Sequence, residues 1–179
     1  IELPTGTGKT DLVSIYIKGL IQAGSAECML FLADKGAAKQ ALEAIQDILN
    51  QYSSSWLLPG MVRQEQQNTV CLHQTMISRY TEFTSGYFDV VISDECHRSI
   101  CGSWQTALTH FDALHIGLLQ HPLPYRIERN TFQFYQCRDG QPDFAFPVLQ
   151  AIRIGYLCPY KFATGITQIL AEGAEIDEV

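Results

Sequence analysis

The chain has 179 residues, 46% of them apolar and 17% charged, with 19 acidic against 12 basic side chains for a net charge of −7. That length suits one domain with a substantial core, the composition excludes a disordered tail, and no apolar run reaches the roughly 18 residues that a membrane helix requires. A dedicated non-specific nucleic-acid binder is more often basic overall, so any such contact is expected from a local patch or from parts of the protein beyond this segment, and the charge argues neither for nor against a motor.

The sequence does not begin with Met and carries no charged-then-apolar leader, so secretion is not indicated and a cytoplasmic location is expected. It starts almost on top of a glycine-rich stretch, Leu3-Pro4-Thr5-Gly6-Thr7-Gly8-Lys9-Thr10, with the strand that should enter that loop reduced to Ile1-Glu2-Leu3. We therefore expect an excised piece of a longer polypeptide. Residues 9–23 repeat apolar side chains at helical spacing (Leu12, Val13, Tyr16, Leu20, Ile21), and Gly24 is a plausible stop. Residues 28–33 form a short continuous apolar run, as a strand buried on both faces would. The stripe Ala38, Ala41, Leu42, Ile45, Ile48 and Leu49 predicts a second amphipathic helix over 36–50.

Residues 51–68, with a Ser triplet and Pro59-Gly60, read as a loop. A strand is expected over 69–73, a short helix over 74–81, and a further buried strand over 87–93 that ends at Asp94-Glu95. Residues 104–111 read as helix and 113–119 as a fifth strand. Strands alternating with helices imply βαβ units and a mainly parallel sheet, whose ligands sit at the carboxyl ends of the strands. Both chemistry-bearing motifs fall there. Past Pro122 the alternation breaks down: a strand over 131–136, a hairpin turn at Gly140, a short helix over 147–155 and a strand over 160–170 are expected, then an acidic tail.

The glycine-rich stretch reads as a phosphate-cradling loop. Thr5, Gly6, Thr7 and Gly8 let the backbone fold tightly, so that N–H groups and the next helix N-terminus face an anion. Lys9 can reach the β- and γ-phosphates, and the Thr10 hydroxyl can ligate Mg²⁺. Asp94, at a strand end, can meet that metal directly or through water. Glu95 is then placed to orient and deprotonate an attacking water, and His97 to sense the γ-phosphate. Taken alone, the loop could be a Gly-rich turn and Asp94-Glu95 could cap the following turn. Occurring together and in this order, they specify a nucleoside triphosphate site, with ATP and Mg²⁺ expected. The six cysteines (Cys28, Cys71, Cys96, Cys101, Cys137, Cys158) show neither a CxxC pair nor zinc-ligand spacing. Reduced, buried thiols are expected, and a Cys96–Cys101 disulfide is disfavoured because it would crowd the acidic loop.

Thr5-Gly6-Thr7-Gly8-Lys9-Thr10, Leu30-Phe31-Leu32-Ala33-Asp34-Lys35, His73-Gln74-Thr75 and Asp94-Glu95-Cys96-His97-Arg98-Ser99 resemble successive motifs of a superfamily 2 (DEAD/DEAH-type) helicase first motor domain. More narrowly, the run from Phe88 to Ile100 with the downstream Trp104 resembles the motor (R) subunit of type I restriction endonucleases. The resemblance covers nearly the whole chain, including Asn130-Thr131-Phe132 and residues 151–160. It implies an α/β, RecA-like P-loop NTPase domain with helices on both faces of its sheet. Residues 1–124 would be the first of two motor domains, and 125–179 an extension of it or the start of the linker to the second. The implied activity is ATP hydrolysis that drives movement on double-stranded DNA. The implied partners are the second RecA-like domain of the full-length chain and the specificity and methylation subunits of a restriction complex, with no membrane.

The resemblance also gives Asp34 and Lys35, and then His73, Gln74 and Thr75, contact with the DNA backbone, and Arg79 would add charge nearby. Lys35 and Arg79 could equally be solvated helix charges. One departure stands out: the family's Thr-Ala-Thr-Pro segment is Leu119-Gln120-His121-Pro122 here, which removes a hydroxyl that would bond the acidic motif. No paired ligands lie near His121, so it is not read as a metal site. Without a second domain's arginine finger, and with no nuclease motif evident, this segment is expected to bind ATP weakly and hydrolyse it slowly. Two alternatives stay open: a general superfamily 2 DNA or RNA helicase domain, and a degenerate ATP-binding module without turnover.

Overall fold

Residues 1–62, 65–98, 100, 102–120 and 131–160 are described by the structure, a computed structural model. Five strands, β1 (Met29–Ala33), β2 (Ser54–Leu57), β3 (Asn68–Leu72), β4 (Val90–Ser93) and β5 (Leu114–Gly117), form one sheet in the order β2-β3-β1-β4-β5. Every pairing is parallel, with Phe31 opposite Val70 on one side and Ile92 on the other. Parallel neighbours need crossovers, and helices supply them. α1 (Lys9–Gln22) precedes β1, α2 (Ala38–Ile48) links β1 to β2, α3 (His73–Arg79) follows β3, and α4 (Gly102–Thr109) links β4 to β5.

β1 carries no polar side chain because both its faces are covered. Met29, Phe31 and Ala33 join Val13 and Ile17 of α1, with Ala41, Ile45 and Leu49 from α2 and its end, in one core. Leu30 and Leu32 point the other way, into a second core with Met76, Phe83, Phe88, Leu108 and Phe111. The period-two alternation of a strand thus divides one apolar run between two layers of helix. This is the doubly covered parallel sheet expected from the alternating pattern. Among the described residues no helix is long and apolar enough to cross a membrane.

Several local expectations are corrected. Residues 51–68 are not all loop, because Ser54–Leu57 pairs with β3 as the edge strand β2. An edge strand is covered less fully, so it can be Ser-rich and still hold its ladder, and apolar patterning misses it. Residues 131–136 are not a strand: α5 (Thr131–Phe134) is a helical turn ended by Gln136 at φ 54. The alternation of Phe132 and Phe134 mimics a strand, but Phe134 packs on the second core and Tyr135 comes from the turn beneath β5. Gly140 ends a 3₁₀ turn, Arg138–Gly140, and not a hairpin. In α1 the buried side chains are Val13, Ser14 and Ile17, whereas Leu12 and Tyr16 are exposed, so the inward face is rotated from the expected stripe. α6 (Val148–Arg153) is the helix expected over 147–155. The strand expected from 160, together with His121, Pro122 and the 124 boundary, lies outside the described residues save Tyr160, which is in no strand.

The segment ahead of the glycine-rich loop extends the sheet. Glu2 bridges Leu119 on one side and Ala145 on the other, both parallel. The Leu3 amide donates to the Leu119 carbonyl at 3.0 Å, and the Leu119 amide to the Ile1 carbonyl at 3.1 Å. The loop that follows is therefore anchored beside β5, at the carboxyl end of the sheet.

Candidate functional site

The glycine-rich loop leaves this anchor through buried Leu3 and Pro4. Gly6 at φ 83 and Gly8 at φ 76 are left-handed, a conformation that a side chain would strain. Gly8 is the N-cap of α1, with no side chain capping the helix, so its first amides are open to an outside anion. The Thr7 hydroxyl donates to the Pro4 carbonyl at 2.7 Å and closes the loop on itself. Thr5 and Gly6 are exposed while Thr7, Lys9 and Thr10 are half-buried. The loop opens on a small residue in the usual pattern, but here Leu3 takes that place as a core side chain at 4% exposure. Leu157, after α6, lies over the loop, 3.6 Å from where a Cβ on Gly6 would be.

Asp94 and Glu95 follow β4 directly. The Asp94 amide donates to the Leu32 carbonyl at 2.9 Å, which carries the ladder one step past the strand. Glu95 then turns left-handed, at φ 48, an unusual conformation for a residue with a side chain. Its amide donates to Asp94 Oδ1 at 3.1 Å, and the next amide, Cys96, donates to the Leu118 carbonyl at 2.9 Å. That reversal brings the Glu95 carboxylate to the end of the glycine-rich loop: Oε1 lies 3.6 Å from Lys9 Nζ, and Oε2 lies 3.6 Å from His97 Nδ1. Burial raises the Asp94 carboxyl above the usual range; the Lys9 charge opposes this, and the charges of Glu95 and Asp34 add to it. Lys9 and Asp34 thus both lie within electrostatic reach of Asp94.

The other expected positions scatter. His73 is buried at the start of α3, its Nδ1 3.2 Å from the Ala33 carbonyl and its ring 5.1 Å from that of Trp104. Gln74 and Lys35 are exposed, and Thr75 is buried. Arg79 is engaged within the protein. Its Nε and Nη2 donate to Glu82 at 2.8 and 2.6 Å, and its Nη1 donates to the Leu58 carbonyl at 2.9 Å. The guanidinium is spent on neighbouring protein atoms because α3 turns it inward. Sequence reasoning overlooked Gly117. A Cβ there would sit 2.8 Å from both Cys96 Sγ and Tyr135 Cζ, so this glycine lets the acidic loop pack on β5. A glycine inside an apolar strand run was the available signal. Cys96 is buried, and burial pushes its thiol up to about 12.

The family described as type III restriction enzyme, res subunit, matches residues 1–118. The chain belongs to it. No curated protein matches significantly. Solved structures give the fold independently. The SWI2/SNF2 ATPase core of Sulfolobus solfataricus, in complex with dsDNA, superposes at TM-score 0.64 with 11% identity, over 76% of this chain and 31% of its own. A fragment described as an HsdR subunit of a type I restriction enzyme from Vibrio vulnificus YJ016 gives 0.63 with 26% identity, over 85% and 26%. The Hef helicase domain of Pyrococcus furiosus gives 0.61 with 20% identity, over 76% and 33%. The chain spans about a quarter to a third of those structures. This res-family segment is a RecA-like helicase motor-domain fragment, and its site lies within the matched residues. The Leu119 substitution lies just past them: Leu119 is buried at 3%, and its amide and carbonyl hold Ile1 and Leu3. Among the described residues no cluster of three or more His, Cys, Asp or Glu side chains could hold a metal by itself.

Proposed function

We propose that this segment binds ATP with Mg²⁺ and contributes half of a hydrolytic site that drives movement on double-stranded DNA within a restriction system. The observation that carries the reading is the convergence of Lys9, Asp94 and Glu95 beside a loop with two left-handed glycines. These residues fit the ligands. Gly6, Thr7, Gly8 and the α1 N-terminus offer backbone N–H groups to phosphate oxygens, with exposed Thr5 at the rim. Lys9 supplies the charge for the β- and γ-phosphates, and Thr10 and Asp94 supply oxygens for Mg²⁺. Bound there, the metal neutralises charge on the phosphates.

Glu95 is the general base of this proposal, taking a proton from the attacking water on a carboxylate oxygen. His97, 3.6 Å from the other oxygen, positions that carboxylate. A metal site with only one protein carboxylate and one hydroxyl is ordinary for Mg²⁺, which keeps waters and substrate phosphates as its other ligands. The absence of a three-residue metal cluster among the described residues is therefore compatible with this reading.

Duplex DNA, a second RecA-like domain, and specificity and methylation subunits are the proposed partners. The dsDNA complex of the SWI2/SNF2 core supports duplex DNA, and the HsdR likeness supports a place in a restriction enzyme. Residues 1–124 would form the first motor domain and 125–179 its extension or linker. Lys35 and Gln74 are the exposed candidates for the DNA backbone, with Asp34 beside them and Thr75 acting from within α3. One observation favours a second reading, a module that binds ATP without coupled motion: Leu119 offers no hydroxyl to the acidic loop and is used as core. The test is nucleotide binding and turnover with and without duplex DNA. Lys9→Ala is expected to abolish ATP binding, and Glu95→Gln to retain binding while losing hydrolysis by at least about a hundredfold. Hydrolysis by Glu95→Gln at the parent rate would remove Glu95 as base. No turnover in the parent, with ATP bound, would favour the second reading.

A further inference from the structure

Glu95 does something besides awaiting a water: its carboxylate already sits on the lysine that a triphosphate needs. Lys9 Nζ and Glu95 Oε1 are 3.6 Å apart, with the two side chains only 13% and 24% exposed, so the pair is screened less than a surface ion pair. The left-handed turn at Glu95 fixes this placement, because it sends the chain back over the loop as soon as β4 ends. His97 Nδ1 lies 3.6 Å from the second carboxylate oxygen.

We propose that Glu95 occupies on Lys9 the place of the terminal phosphate of a nucleoside triphosphate, so that a triphosphate loads by exchanging with this carboxylate whereas a diphosphate does not disturb it. The inference rests on the reading of the glycine-rich loop as a phosphate site. A charge-assisted contact from Lys9 to a γ-phosphate oxygen is made at roughly 2.7–2.9 Å, within the space that the carboxylate now approaches. Both anions on one ammonium would face each other a few ångströms apart, and like charges at that range repel. The γ-phosphate and Glu95 therefore compete. A diphosphate reaches Lys9 only through its β-phosphate and places no oxygen on the side that the carboxylate approaches, so the Lys9–Glu95 pair stays in place. Glu95 thus sets the balance between triphosphate and diphosphate, and the exchange that admits the γ-phosphate also frees the carboxylate from Lys9.

The experiment measures equilibrium binding of the β,γ-imido analogue of ATP and of ADP, each with Mg²⁺, so that turnover does not enter the affinity. For Glu95→Gln the imido analogue is expected to bind about fivefold more tightly than to the parent, the worth of one partly buried ion pair, while ADP stays within about twofold. Glu95→Ala should shift the ratio of the two affinities in the same direction, and Glu95→Asp, which keeps the charge on a shorter stem, should shift it less. A structural defect would weaken both nucleotides together. An unchanged ratio, or equal shifts for both nucleotides, overturns the competition and leaves the phosphate site standing. Failure of the parent to bind either nucleotide overturns the phosphate site itself.

Discussion

Gly117 shows how one missing side chain can set the geometry of a site. Neither neighbour can retreat: Cys96 is buried and tied through its amide to Leu118, and Tyr135 sits in a helical turn wedged beneath the strand. Adding a methyl group at 2.8 Å from each forces the acidic loop or the Tyr135 turn outward. Gly117→Ala should therefore cost about 1–3 kcal/mol, the usual range for overpacking a filled interior. Denaturant titration reads this as a lower midpoint with an unchanged slope. An unaltered midpoint would mean that the Tyr135 turn adjusts freely. The residue placements most legible in the sequence are local ones: a lysine after two glycines at a helix start, a carboxylate at a strand end. Gly117 was harder to read because its reason is a contact with residues distant in the chain.

At the scale of elements, α3 separates two uses of a basic side chain. Arg79 satisfies the Leu58 carbonyl and holds Glu82, which ties the end of α3 to the segment after β2. Arg79→Ala leaves that carbonyl without its charged donor and should cost about 1–3 kcal/mol. Lys35, exposed after β1, has no such partner among the described residues, and Lys35→Ala should change stability by less than about 0.5 kcal/mol. Thermal unfolding of both variants checks the pair, and equal effects would refute the distinction. Sequence spacing could not tell these two residues apart, since both look like charges near a motif. The difference arises from which way α3 faces once His73 and Thr75 are buried. β2 and α5 were misread for a related reason. β2 is held by one ladder and not by an apolar pattern, and α5 carries a two-residue alternation that its packing on the second core overrides.

At the scale of the whole molecule, the central strands were readable because burial on both faces leaves continuous apolar runs, and β1 and β4 are such runs. The pairing order was not readable, because it depends on which crossover lands beside which strand. Cys71 in β3 offers a probe of how firmly that assembly closes. β3 lies between β2 and β1, the Cys71 side chain is fully buried in the second core, and burial raises its pKa far above the ordinary thiol range. In the unfolded chain the same thiol ionises near pH 8.5. A group whose pKa is raised on folding contributes stability that is present below the unfolded value and is lost as pH rises through and beyond it. The denaturation midpoint should therefore decline from about pH 8 to pH 10. Alkylation mapped by peptide should label exposed Cys158 on mixing, but Cys71 only at a rate that follows global unfolding as denaturant is added. Rapid labelling of Cys71 in the absence of denaturant would mean that β2 peels from β3 without the rest of the sheet, and the edge strand would then be a separate, weaker unit.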